Sequence, residues 1–182
     1  MLSVFTRRHK RERGFSILEM LFATLILLVG LVAIAQLVPA SILLNYRNRM
    51  DSSALVFGQR QLDQMLDQPL TVNQFTDVLG NTCQLGNPAV TNTVQGSTLT
   101  TIHNQAHIVF SLPNPPLAPT NGYGFTYQDA TDPNGTTYDV RWAVIITGNG
   151  GSASSRRIIL GIRQAGGTGY FQPITLDTMV GK

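Results

Sequence analysis

Glu19 is the side chain in this sequence that most needs a partner. It follows Phe15 by four residues in an apolar run, and no other charged side chain occurs between Met20 and Tyr46. In a bilayer an unpaired carboxylate near a helix centre costs about 2.5–3.5 kcal/mol on insertion scales, and less near an end. Other groups with chemical potential fare worse on inspection. Gly148-Asn149-Gly150-Gly151-Ser152-Ala153 matches the Gly-x-Gly-x-x-Gly/Ala nucleotide fingerprint, but a strand, not a helix, is expected after it. Without a helix N-terminus nothing there holds a pyrophosphate, so it reads as a hairpin loop. His103 and His107 are four apart, a spacing that serves zinc on one helix face, yet their surroundings read as strand or loop. Ser152, Ser154 and Ser155 fall in the same loop, with no Gly-x-Ser-x-Gly elbow and no nearby His–Asp pair. No enzyme activity, cofactor or metal is expected. Cys83, the single cysteine, permits no internal disulfide and reads as a small semi-buried side chain.

The elements that place Glu19 are read from charge and hydropathy. Of thirteen Lys and Arg, five precede Gly14, with one of the ten acids, so this leader carries +4 and the rest of the chain −1. The basic pI therefore belongs to the leader. Arg156-Arg157 is a lone pair among several aspartates; it reads as a solvated strand face, and no nucleic-acid partner is expected. Residues 15–38 are almost wholly apolar, and about 20 such residues cross a bilayer core of roughly 30 Å. Basic residues on the N-terminal side alone put the leader in the cytoplasm and the bulk of the chain across the inner membrane, in the periplasm. A secretory signal peptide has a shorter apolar core. The absence of a cysteine just after the run excludes lipoprotein processing. A plain signal anchor leaves Glu19 unexplained.

Arg13-Gly14-Phe15-Ser16-Ile17-Leu18-Glu19-Met20-Leu21 resembles the N-terminal signal of type IV prepilins and type II secretion pseudopilins. The continuation from Ala23 to Leu37 is similar to PilV-type minor pilins. The resemblance covers roughly residues 7–67. It implies a leader, residues 1–14, recognised through Arg11 and Arg13. Prepilin peptidase would cut between Gly14 and Phe15 and methylate the Phe15 amine. It implies other pilins or pseudopilins as helix partners and membrane lipid around the helix before assembly. Cutting creates a cation one helical turn from Glu19, and opposite charges in lipid compensate one another. In a filament the expected partner of Glu19 is the Phe15 amine of a neighbouring subunit, and a slipped subunit would leave the acid bare. The implied function is that of a minor pilin; a minor pseudopilin, and more distantly an anchored periplasmic binding domain, are the alternatives.

Beyond the span, Met50, Ala54, Leu55, Gly58, Leu62, Met65 and Leu66 recur at three- and four-residue spacings, predicting an amphipathic continuation over residues 39–69. Arg47, Arg49, Asp51, Arg60, Asp63 and Asp67 form its polar face. Pro69 should end the helix and Pro39 should kink it. A helix from Phe15 to Asp67 would measure roughly 80 Å. Residues 70–182 read as a β-rich domain, with strands at 107–112, 123–127, 138–147, 156–163 and 171–176 and turn chemistry at Asp132-Pro133-Asn134-Gly135. Residues 87–97 and 113–121 read as loops. Tyr138, Val140, Trp142, Val144 and Ile146 alternate onto one face, expected to be core against the helix. The fold expected is α+β, pilin-like: a long N-terminal helix, transmembrane in its first half, on an antiparallel sheet.

Overall fold

The computed structural model describes residues 14–110, 119–128, 135–149, 152–165 and 173–181. Its elements are α1 (Ile17–Leu66), β1 (Gln74–Thr76), β2 (Thr82–Gln84), β3 (Val94–Gly96), β4 (Leu99–Ile102), β5 (Gln105–Ile108), β6 (Gly124–Gln128), β7 (Thr137–Asn149), β8 (Ser152–Ala165) and β9 (Ile174–Gly181). A long N-terminal helix and an antiparallel sheet domain make the architecture α+β. The chain divides into two compact units, Met1–Arg47 and Asn48–Lys182. The first holds the apolar part of α1, whose side chains from Ile17 to Leu44 are exposed. α1 runs through Pro39 as one helix. It ends at Leu66, three residues before Pro69, as the proline rule requires.

In the second unit, α1 from Asn48 onward buries Met50, Ala54, Phe57, Gly58, Gln61, Leu62 and Met65 against the sheet. Leu55, expected in this stripe, is 37% exposed, while Phe57 and Gln61 take places on it. The six charged residues expected on the opposite face are all exposed. The main sheet runs β3-β7-β8-β9, with β6 also paired to β7. β7 and β8 form its centre, a hairpin paired from Thr137↔Ala165 to Asn149↔Ser152. Tyr138, Val140, Trp142, Val144 and Ile146 are buried in the same cluster as the helix stripe, as two-residue alternation demands. Trp142 Nε1 donates to Gln84 O at 2.8 Å, which satisfies the indole inside the core. Phe57 stacks on Tyr127 at a centroid distance of 3.8 Å and meets Phe125 edge-on at 6.2 Å. Ala143 and Ile159 face the other way, beneath Ile108 and Phe110, at and just beyond the end of the hairpin of β4 and β5.

Three expectations are corrected. Residues 87–97, read as loop, contain β3, which pairs with β7 at Val94↔Ile145. The polar, β-poor composition hid a strand whose partner lies some fifty residues on; Gly96, at φ +100, approaches Trp142 O so closely that a Cβ would sit 2.9 Å away. The strand placed at 107–112 begins at Gln105 in a separate hairpin, whose turn puts His103 and Asn104 at positive φ. Ser152, Ser154 and Ser155 belong to β8, not to a loop; Ser152 and Ser155 pair with β7, and Ser154 is passed over where the register shifts. The turn at Asp132-Pro133-Asn134 and the loop at 113–118 lie outside the described residues, as do the ends of two expected strands at 111–112 and 171–172.

Gly58 brings helix and sheet together: a Cβ there would collide with Ile162 Cδ1 and reach Leu176 Cδ1 at 3.0 Å. Replacing it by leucine overfills a packed contact. Gly58→Leu is expected to lower the stability of the full chain in detergent by about 1–3 kcal/mol, read from denaturant unfolding of the Trp142 signal.

Candidate functional site

Gly14, Phe15 and Ser16 precede α1 without regular secondary structure, and Met20 N donates to Ser16 O at 3.1 Å to close the first turn. Among the described residues, nothing lies within 4 Å of a Cβ built on Gly14, and Phe15 is 77% exposed. Glu19 falls in the first turn of α1. There the unbonded N–H groups of the helix start favour a carboxylate. Glu19 makes no ion pair with any described residue. The structure thus places Gly14 and Phe15 just before α1 and Glu19 in its first turn; Arg11 and Arg13 lie outside the described residues. α1 itself is the one helix among the described residues long and apolar enough to cross a membrane.

The other motifs find structural places. Gly148 pairs with Ala153 across the β7–β8 end, and no helix opens after it. His103 stands in the turn between β4 and β5, and His107 Nδ1 lies 3.0 Å from Thr175 Oγ1. Arg157 bonds Asp177 through Nε and Nη2, at 2.9 and 2.5 Å, on an exposed strand face. Arg156 departs from expectation: it is fully buried, not solvated. Its Nη2 donates to Pro69 O, Leu70 O and Val72 O at 3.2, 3.0 and 2.7 Å, while Nε and Nη1 have no hydrogen-bond partner among the described residues. Burial pulls its pKa below the ordinary arginine value. The signal was present in the sequence, since Arg156 alternates in phase with Ile158, Leu160 and Ile162. The chain leaving α1 turns around this cation. Beside that turn, Leu70, Pro88, Ala153 and Val180 help line a cavity of about 860 Å³ that motif reading gave no hint of.

Cys83 is free and buried on β2, with Gln61 Nε2 donating to its sulfur at 3.5 Å. Burial, and then the nearby Asp77 carboxylate, push the thiol up to about 12 from an ordinary 9.0.

The described chain thus opens on a Gly–Phe junction, a first-turn glutamate and a helix long and apolar enough to cross a membrane. Residues 9–35 match the family model described as the prokaryotic N-terminal methylation motif. The match supports a type IV pilin-like or pseudopilin subunit, a structural kind of protein, and fits prepilin peptidase as a partner. No curated protein and no solved structure matches the chain.

Two outcomes are expected. Arg156→Met strands three carbonyls and should cost about 1–3 kcal/mol in urea unfolding. The raised thiol pKa means the folded state holds the proton more tightly, so stability is whole below pH 9 and is lost as pH rises through about 12. Cys83→Ala should flatten that alkaline slope, and iodoacetamide should label Cys83 at pH 8 only after unfolding.

Proposed function

We propose that the protein is a minor type IV pilin of the PilV type, a structural subunit that joins or initiates a pilus. Prepilin peptidase removes residues 1–14, reading Arg11 and Arg13 in the leader, cuts between Gly14 and Phe15, and methylates the Phe15 amine. Residues 15–38 hold the subunit in the inner membrane, with the N-terminus cytoplasmic. Residues 39–69 continue the helix, and residues 70–182 form a periplasmic domain. On assembly Glu19 pairs with the Phe15 amine of a neighbouring subunit, and other pilins replace lipid around the helix.

The observation that carries this reading is the motif match over residues 9–35, with Gly14, Phe15 and Glu19 at the start of an uncovered apolar helix. The free amine supplies the positive charge that Glu19 lacks within its own described chain, and only a packed bundle brings a neighbour's amine near it.

Intact mass of the protein from cells is expected to show loss of residues 1–14 plus one methyl group; an unshortened chain overturns the proposal. Glu19→Ala should still be cut yet fall at least tenfold in sheared pilus fractions relative to membrane, and undiminished incorporation removes the pairing role. A bulky residue at Gly14 should block cutting. Recovery from extracellular filaments, as against retention in a periplasmic secretion pseudopilus, separates the pilin from the pseudopilin.

A further inference from the structure

β9 is an open edge. It pairs with β8 alone, in register from Ser155↔Gly181 to Ile162↔Ile174 without a bulge, and no hydrogen bond among the described residues engages its outer side. The opposite edge of the sheet differs, because β3 and β6 share the outer side of β7. An edge of 8 residues presents unpaired N–H and C=O groups that template another strand. Proteins commonly blunt such edges with lysine, proline, a bulge or an unpaired charge. Within β9 none of these occurs: its one charge, Asp177, is neutralised by Arg157, and Met179 is 66% exposed.

A second feature lies at the end of the same strand. Val180 and Gly181 help line the cavity of about 860 Å³, together with Pro69, Leu70, Pro88 and Ala153. That volume suits one or two bulky side chains and falls within the usual range of ligand pockets. Asp67 is the charged side chain among its described lining residues, and it forms no ion pair with them. It stands just past the C-terminus of α1, where free carbonyls add negative potential. The Arg156 cation lies behind the turn at 69–72, fully buried with Nη2 bonded to its carbonyls.

We propose that the outer edge of β9 takes an extended peptide segment of a partner protein as an added strand, with an apolar side chain in the cavity and a basic residue against Asp67. Backbone pairing gives affinity in this mode, and the pocket and the charge give selectivity. A second copy fits less well: antiparallel pairing of two β9 strands would bring the Ile174 end, which carries no basic residue, beside Gly181. The inference rests on the second unit alone and holds whether or not the chain enters a filament.

The test uses the full chain in detergent and three short capped peptides of alternating Val and Thr, ending in Arg, Gln or Glu. Binding is read by fluorescence anisotropy, and the site by amide hydrogen exchange. Exchange over residues 174–181 should slow with peptide, and affinity should fall in the order Arg, Gln, Glu, with about two- to five-fold per step. Asp67→Lys, at an exposed position, should reverse the order, and Asp67→Asn should level it. Unchanged exchange in β9 overturns the proposal, as does an order that ignores Asp67. Protection of β9 that grows with protein concentration in the absence of peptide would assign the edge to a second copy instead.

Discussion

Apolar surface must leave water, and the two units of this chain meet that demand differently. In the second unit the stripe from Met50 to Met65 is removed from solvent by the chain's own sheet, chiefly by β7 and β8. In the first, the residues from Ile17 to Leu44 are exposed among the described residues. At about 25 cal/mol for each Å² of apolar surface, an uncovered run of that length is untenable in water. The sheet supplies no such cover to this part of the helix among the described residues. Residues 9–35, which match the prokaryotic N-terminal methylation motif, open this uncovered run.

Two charges are held at odds with their surroundings, and they illustrate different solutions. Arg156 is buried with carbonyl dipoles instead of a counter-ion, and it ties the turn after α1 to the sheet. Such a group stabilises through hydrogen bonds, at the cost of two guanidinium nitrogens left without partners among the described residues. Glu19 has no comparable arrangement of its own. A carboxylate on an apolar helix without a paired charge is costly to take out of water.

Much of this was legible beforehand because the signals were local. The helix end follows from Pro69, the β7–β8 hairpin from two alternating runs around glycines, and the inward face of β7 from the period of two at Tyr138 to Ile146. The motif matched over residues 9–35 was likewise readable from a short stretch. What escaped depends on distant partners. β3 is three residues long and exists because β7 offers an edge. Gln61 sits in the core beside Cys83, where a glutamine would ordinarily be assigned to the surface. Arg156 was misplaced because a charged residue outweighed the alternation that put it inside. The cavity beside the turn at 69–72 combines four separate segments, and no single stretch of sequence contains it.

The pairing of β7 with β8 bears on the order of events during biosynthesis. The residues that shield the helix stripe, Tyr138 to Ile162, are made long after Met50 to Met65, so the stripe waits bare while more than half of the polypeptide is still to emerge. A nascent chain in that condition is prone to stick to others. Threading it across a bilayer as it is made, with the N-terminal segment held in lipid, would keep neighbouring copies apart until the late hairpin arrives to close the fold.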